Sequence, residues 1–173
     1  MFIIEPIKKE NATGKLKLLY QMIEKHLGFI PPHFELVAPI DIKAMKDFLD
    51  YNTTIMSHKK IDRNLLPFLR LYIAQKECRR YCIGFNTEML KKMNVDEAMI
   101  NDMENHLDDI PLERAQKILL KKVIKAVYHP DKFDKIDLEV LYDVGFNDKD
   151  FYDILDYATG FMGKSKIIEA YLI

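Results

Sequence analysis

Apolar residues recur every three or four positions along nearly the whole chain, and alternation with polar residues never persists, so the pattern predicts helices and no strands. Leu16, Leu19, Tyr20, Ile23 and Leu27 form a first helical stripe, with Gly28 where a helix takes a left-handed stop. Pro32 pushes Pro31 out of the helical region, a short turn over 34–37 comes next, and Pro39 breaks it. Asp41 caps a second long helix through Met45, Phe48, Leu49, Asn52, Ile55 and Met56. A central helix is next, capped by Asp62 or Asn64, with Pro67 in its first turn. Its stripe of Leu66, Leu69, Ile73, Cys82, Phe85 and Met89 runs on toward Met93, and Asn94 is the stop. Asp96 caps a short helix carrying Ala98, Met99 and Met103; residues 112–127 are amphipathic and end at His129-Pro130-Asp131. Asp137 opens a helix over 138–144 that Gly145 closes, and Asn147 with Asp150 three residues on starts the last one. The expectation is an all-α, single-domain helical bundle over 1–173 with about seven helices. There is no hairpin turn and no Gly-rich phosphate loop, which excludes Rossmann and P-loop readings.

Composition supports a packed core. Of the 173 residues 49% are hydrophobic, and six Gly and seven Pro are too few for a disordered or collagen-like chain. Two Cys cannot build a secreted disulfide framework, and Glu5 and Pro6 interrupt what a signal peptide needs as an apolar run, so the expected location is the cytoplasm. The most apolar window, 65–74, contains Pro67 and Arg70, so no membrane partner is expected. The net charge of -1 hides a split: residues 1–95 carry 16 Lys+Arg against 10 Asp+Glu, and 96–173 carry 10 against 17. The basic residues are dispersed as pairs (Lys8-Lys9, Lys59-Lys60, Arg79-Arg80, Lys91-Lys92), which argues against a nucleic-acid stripe. The split fits instead with complementary fields where the halves of a helical bundle meet, or where neighbouring subunits meet in a homo-oligomer.

The densest chemistry lies at Glu77-Cys78-Arg79-Arg80-Tyr81-Cys82-Ile83-Gly84-Phe85-Asn86, which holds both thiols. On one continuous helix Cys78 and Cys82 would stand with Cβ atoms about 5 to 6 Å apart, whereas a disulfide wants about 3.5 to 4.5 Å; pairing them requires the helix to break. Arg79 or Arg80 could lower a thiolate's pKa by charge, and Asn86 could hydrogen-bond sulfur without accepting its proton. The competing reading makes Cys82 a small buried member of the core stripe.

This stretch resembles the carboxymuconolactone decarboxylase and alkylhydroperoxidase D superfamily of all-helical proteins, whose signature is Cys-x-x-Cys-x-x-x-His. Tyr81-Cys82 and the preceding Leu69-Arg70-Leu71-Tyr72-Ile73-Ala74 match the run into that motif, with Cys82 in the second cysteine's place. Gly28-Phe29-Ile30-Pro31 with Phe34 and Ala38, Leu65-Leu66-Pro67, Asp96-Glu97-Ala98-Met99-Ile100, Pro111-Leu112-Glu113-Arg114-Ala115 and the segment 141–148 come in the expected order, so the resemblance covers almost the whole chain. It implies thiol-dependent peroxide detoxification through Cys82, with small-molecule peroxide or thiol partners and no cofactor. Much of the relay is missing: Arg79 stands in the first cysteine's place, Asn86 in the histidine's, Pro67 about where a glutamate is expected, and Cys78 is displaced by one position. The alternative is a catalytically inactive helical oligomer that binds or interacts.

Tyr128-His129-Pro130-Asp131-Lys132, preceded by Lys121, Lys122 and Lys125, resembles the His-Pro-Asp loop of J-domain co-chaperones, but the opening of a J-domain is absent and Gly145 ends the next segment early. A helix stop, with Asp131 capping the next helix, explains the tripeptide. His26, His33, His58 and His106 have no ligand spacing, so no metal is expected. The nine Met read as core filler.

Overall fold

A computed structural model of the chain describes residues 2–173, and of His26 only the backbone. Among the described residues there are nine α-helices and no strands, and 68% of the chain is helical. The helices are α1 (Gly14–Leu27), α2 (Pro32–Val37), α3 (Ile42–Met56), α4 (Leu65–Lys76), α5 (Arg80–Lys92), α6 (Glu97–Asn101), α7 (Arg114–Tyr128), α8 (Lys135–Asp143) and α9 (Asp148–Ala170). The all-α expectation holds. The count of about seven rises to nine because the turn over 34–37 is a short helix and because the expected central helix is two helices, α4 and α5.

The chain forms two compact units, 1–53 with 170–173, and 54–169. In the first, the predicted stripe of α1 turns inward: Leu16, Leu19, Tyr20 and Ile23 pack with Phe34, Ala38, Met45 and Leu49. The Tyr20 hydroxyl donates to the Ile7 carbonyl at 2.7 Å, and Phe2 bridges Leu172 near the chain's end. Met45 is fully buried, but Met22 and Met56 are exposed, so the core-filler reading fails for those two.

In the second unit α4 is apolar all round, as a helix enclosed by others must be. Leu65, Leu66, Phe68, Leu69, Leu71, Ile73 and Ala74 are at most 1% exposed. Arg70 is the one charge in that run and is half-buried. Stops at Gly28, Asn94 and Gly145 fall as expected, each at positive φ. The break between α4 and α5 comes from Cys78. It adopts φ 53°, its N–H bonds to the Gln75 carbonyl at 3.2 Å, and the Arg79 N–H bonds to the Ala74 carbonyl at 2.8 Å. This is the Schellman motif, with cysteine in the left-handed position that glycine usually takes. A β-carbon there costs roughly 1 kcal/mol, so Cys78→Gly is expected to raise stability by about 0.5 kcal/mol after glycine's extra chain entropy is subtracted. Urea unfolding of the two proteins measures it, and a destabilised Cys78→Gly would contradict the assignment.

Further on, Asp96 accepts from the Ala98 N–H at 2.8 Å, and Asn147 and Asp150 cap α9 reciprocally, both as expected. The start of α8 differs: Asp134 is the cap and Asp137 its capping-box partner, while Asp131 lies inside a 3-10 turn. The lysines before His129-Pro130-Asp131 are committed internally, Lys121 to Asp108 and both Lys122 and Lys125 to Asp137 at 2.6 Å. The tripeptide therefore acts as a helix stop between α7 and α8.

Candidate functional site

The corner at Cys78 turns the chain so that α5 packs on α4. Arg79 is the residue before α5, Cys82 lies in its first turn, and Asn86 is one turn later. Cys82 is 4% exposed and Asn86 1%. The sequence pattern joins these residues along one helix axis. In the structure a different set of side chains surrounds them, drawn from α4 and α9.

Arg70 of α4 organises that set. Its Nε donates to Asn86 Oδ1 at 2.8 Å, its Nη1 to the Tyr157 hydroxyl of α9 at 2.8 Å, and its Nη2 to Met89 Sδ at 3.6 Å. The other end of the Asn86 amide, Nδ2, donates to the Cys82 carbonyl oxygen at 2.8 Å. Both ends of the amide are thereby engaged away from the Cys82 sulfur.

Burial pushes the Cys82 thiol up to about 12, and the Glu169 carboxylate adds to the rise, while Arg70 and Arg79 pull the other way without cancelling it. A cysteine in the first turn of a helix ordinarily gains from the helix dipole. Here loss of solvent outweighs it. Glu169, near the end of α9, accepts from Arg80 Nε at 2.9 Å through Oε1, while its Oε2 is buried without a hydrogen bond. Arg79 Nε is likewise buried and unbonded, although its Nη2 lies 3.4 Å from Glu77. Near them the Tyr128 hydroxyl is buried; burial first, and then Glu77, raise its pKa, but the carboxylate does not reach hydrogen-bond geometry. Cys78 is exposed at the corner and Cys82 is buried, and both are free thiols.

Of the residues picked out in the sequence, Cys82, Asn86 and Arg79 share this region with Glu169, Arg70 and Tyr157, which sequence reasoning missed. Glu169 and Tyr157 sit more than 70 positions away, where no spacing rule reaches. Arg70 carried a signal: a lone charge in an apolar run of helix. A separate shallow pocket of about 240 Å³ is lined by Tyr72, Gln75, Lys76, Asn101, Asp102, Met103 and Glu104, with Lys76 paired to Glu104 at its rim. Among the described residues no group of three or more His, Cys, Asp or Glu could hold a metal ion, and no helix is long and apolar enough to cross a membrane.

No protein-family model and no curated protein sequence matches the chain. Solved structures do. An uncharacterized peroxidase-related protein from Silicibacter sp. TM1040 superposes with a TM-score of 0.74 at 18% identity, over 98% of this chain and 86% of that one. An alkylhydroperoxidase AhpD core structure, an uncharacterized peroxidase-related protein from Ralstonia eutropha JMP134, gives a TM-score of 0.76 at 15% identity, over 96% of this chain and 88% of that one. At such identities the likeness establishes the fold: this chain has the alkylhydroperoxidase D-like fold.

Proposed function

We propose that this protein, with its alkylhydroperoxidase D-like fold, is a binding protein whose native state does not turn over peroxide, 1–173 acting as one domain. The observation that carries this is the state of Cys82. A thiol at about 12 leaves on the order of one thiolate in 100,000 at pH 7, and the thiolate is the nucleophile. The carboxylate that acts on it, Glu169, raises its pKa and is bonded through Oε1 to Arg80. Asn86, in the histidine's place, is spent on Arg70 and on the Cys82 carbonyl. Assembly into a homo-oligomer and a cytoplasmic location belong to this reading. They are supported by the opposite charge balance of the two halves of the sequence and by its two unpaired cysteines.

A second reading, thiol-dependent peroxide detoxification through Cys82, has one observation in its favour. The helix breaks between the cysteines, so Cys78 is not held one helical turn from Cys82 and could act as its resolving partner. One experiment decides. Native protein is titrated with a thiol reagent from pH 6 to about pH 9 while peroxide consumption is followed. The expected result is modification of Cys78 alone and no turnover. Turnover lost in Cys82→Ser, or a Cys82 pKa below the free value of about 8.5, would establish the peroxidase reading instead.

A further inference from the structure

Arg70 stands in the second unit among neutral hydrogen-bond partners. It interrupts an apolar helix whose other residues from Leu65 to Ala74 are buried, and a half-buried guanidinium is best matched by an opposite charge or a full set of hydrogen bonds. Its partners are all neutral: an amide oxygen, a phenol and a thioether. Among the described residues no carboxylate pairs with it, and the carboxylate that acts on neighbouring Cys82, Glu169, is bonded to Arg80. Asn86 and Tyr157 hold the guanidinium by Nε and Nη1 at 2.8 Å, which orients it, but Nη2 meets only a thioether at 3.6 Å, a weak acceptor.

We propose that Arg70 is the receptor for a small organic carboxylate with an apolar body, bound at its Nη1–Nη2 edge over Met89. Each Nη carries two N–H groups and has one protein partner, so both keep a donor for the two carboxylate oxygens, the fork geometry that guanidinium suits. A single carboxylate supplies one negative charge against one positive charge. A phosphate dianion would be left over-charged at a site with one cation. The apolar body is indicated by α5: Met89 is half-buried one turn beyond Phe85, whose ring stacks on Tyr81 with centroids 6.1 Å apart, so apolar surface runs along the flank next to the guanidinium. Asn86 and Tyr157 are positioning residues, since they bond the guanidinium and leave the anion to Arg70.

This inference deepens the binding-protein reading and rests on it, and the test separates the two. The full chain is titrated with benzoate, with benzyl alcohol as the neutral match in shape and with inorganic phosphate as the rival anion. Binding is read by calorimetry and by the nitrogen-15 resonance of Arg70 Nε. The expected result is saturable binding of benzoate with a shifted Nε resonance, little binding of benzyl alcohol or phosphate, and at least about tenfold weaker benzoate binding in Arg70→Met, the weight of a charge-assisted hydrogen bond. The Nε shift in the unmodified protein keeps the test valid if Arg70→Met folds poorly. Absent benzoate binding, equal binding of benzyl alcohol, tighter binding of phosphate, or an Nε resonance that does not move would each overturn the proposal. Peroxide turnover without benzoate would overturn the binding-protein reading and leave the benzoate result standing by itself.

Discussion

Phe68→Ala is expected to cost about 3 to 5 kcal/mol of stability, the range for emptying a fully enclosed aromatic site. Phe68 is 0% exposed in a stretch of α4 where every residue from Leu65 to Ala74 except Arg70 is buried, so its neighbours cannot move in to fill the space without leaving their own contacts. Urea unfolding followed by circular dichroism measures the loss. Tyr152→Ala on α9 is the control, 64% exposed and expected to change stability by no more than about 0.5 kcal/mol. The same Phe68 variant sharpens the reading of Cys82. Because that thiol is buried, reagents reach it through opening of the fold, and lowering the global stability should speed its modification even at pH 7. A Phe68→Ala protein as stable as the parent would mean that α4 is not enclosed as described.

Asp137→Asn is expected to cost about 2 kcal/mol at pH 7 and to remove an acid-dependent part of the stability, the weight of a carboxyl held down to about 2 in the folded state against 3.8 in the unfolded chain. The Asp137 side chain is 3% exposed and takes salt bridges from Lys122 and Lys125 at 2.6 Å each, plus the Asp134 N–H at 3.1 Å. Burial by itself would raise its pKa; the bonds from Lys122, Lys125 and the Asp134 backbone overcome that and hold it down to about 2. The folded pKa lies below the ordinary value of 3.8, so the folded state binds the proton less readily than the unfolded chain does. The stabilisation is complete above about pH 4 and fades as the pH falls through about 2. Melting temperatures of the parent and Asp137→Asn should therefore differ at pH 6 and converge toward pH 2. A difference independent of pH would show that the carboxylate's charge is not what joins α7 to α8.

Most helix boundaries can be read from local chemistry because local chemistry sets them. Gly28, Asn94 and Gly145 tolerate positive φ, Asp96 and the Asn147/Asp150 pair satisfy helix N–H groups, and those requirements reach only a few residues. The boundary at Cys78 has no turn residue to mark it, since cysteine carries no turn signal; its trace in the sequence is the phase of the stripe, because Ile73 and Cys82 are nine residues apart and would face opposite sides of one continuous helix. Enclosure of α4 and packing of α5 onto it favour the corner strongly enough to hold a residue other than glycine in the left-handed region. Asp131 looks like the cap of the next helix because it comes directly after Pro130. The turn takes one more step, and Asp134 is the residue whose carboxylate meets free N–H groups.

At the site, the sequence by itself determined the all-helical class, the fold that its ordered segments resemble, and the departures from the redox motif at Arg79 and Asn86. Those are matters of residue type and short spacing. Tertiary structure alone decided the rest: that Cys82 loses solvent, that Glu169 returns from the far end of the chain to oppose its ionisation, and that Asn86 and Tyr157 hold a guanidinium that no carboxylate among the described residues pairs with. Burial and electrostatic interaction depend on distances through space, and those distances exist only once helices far apart in sequence have packed together.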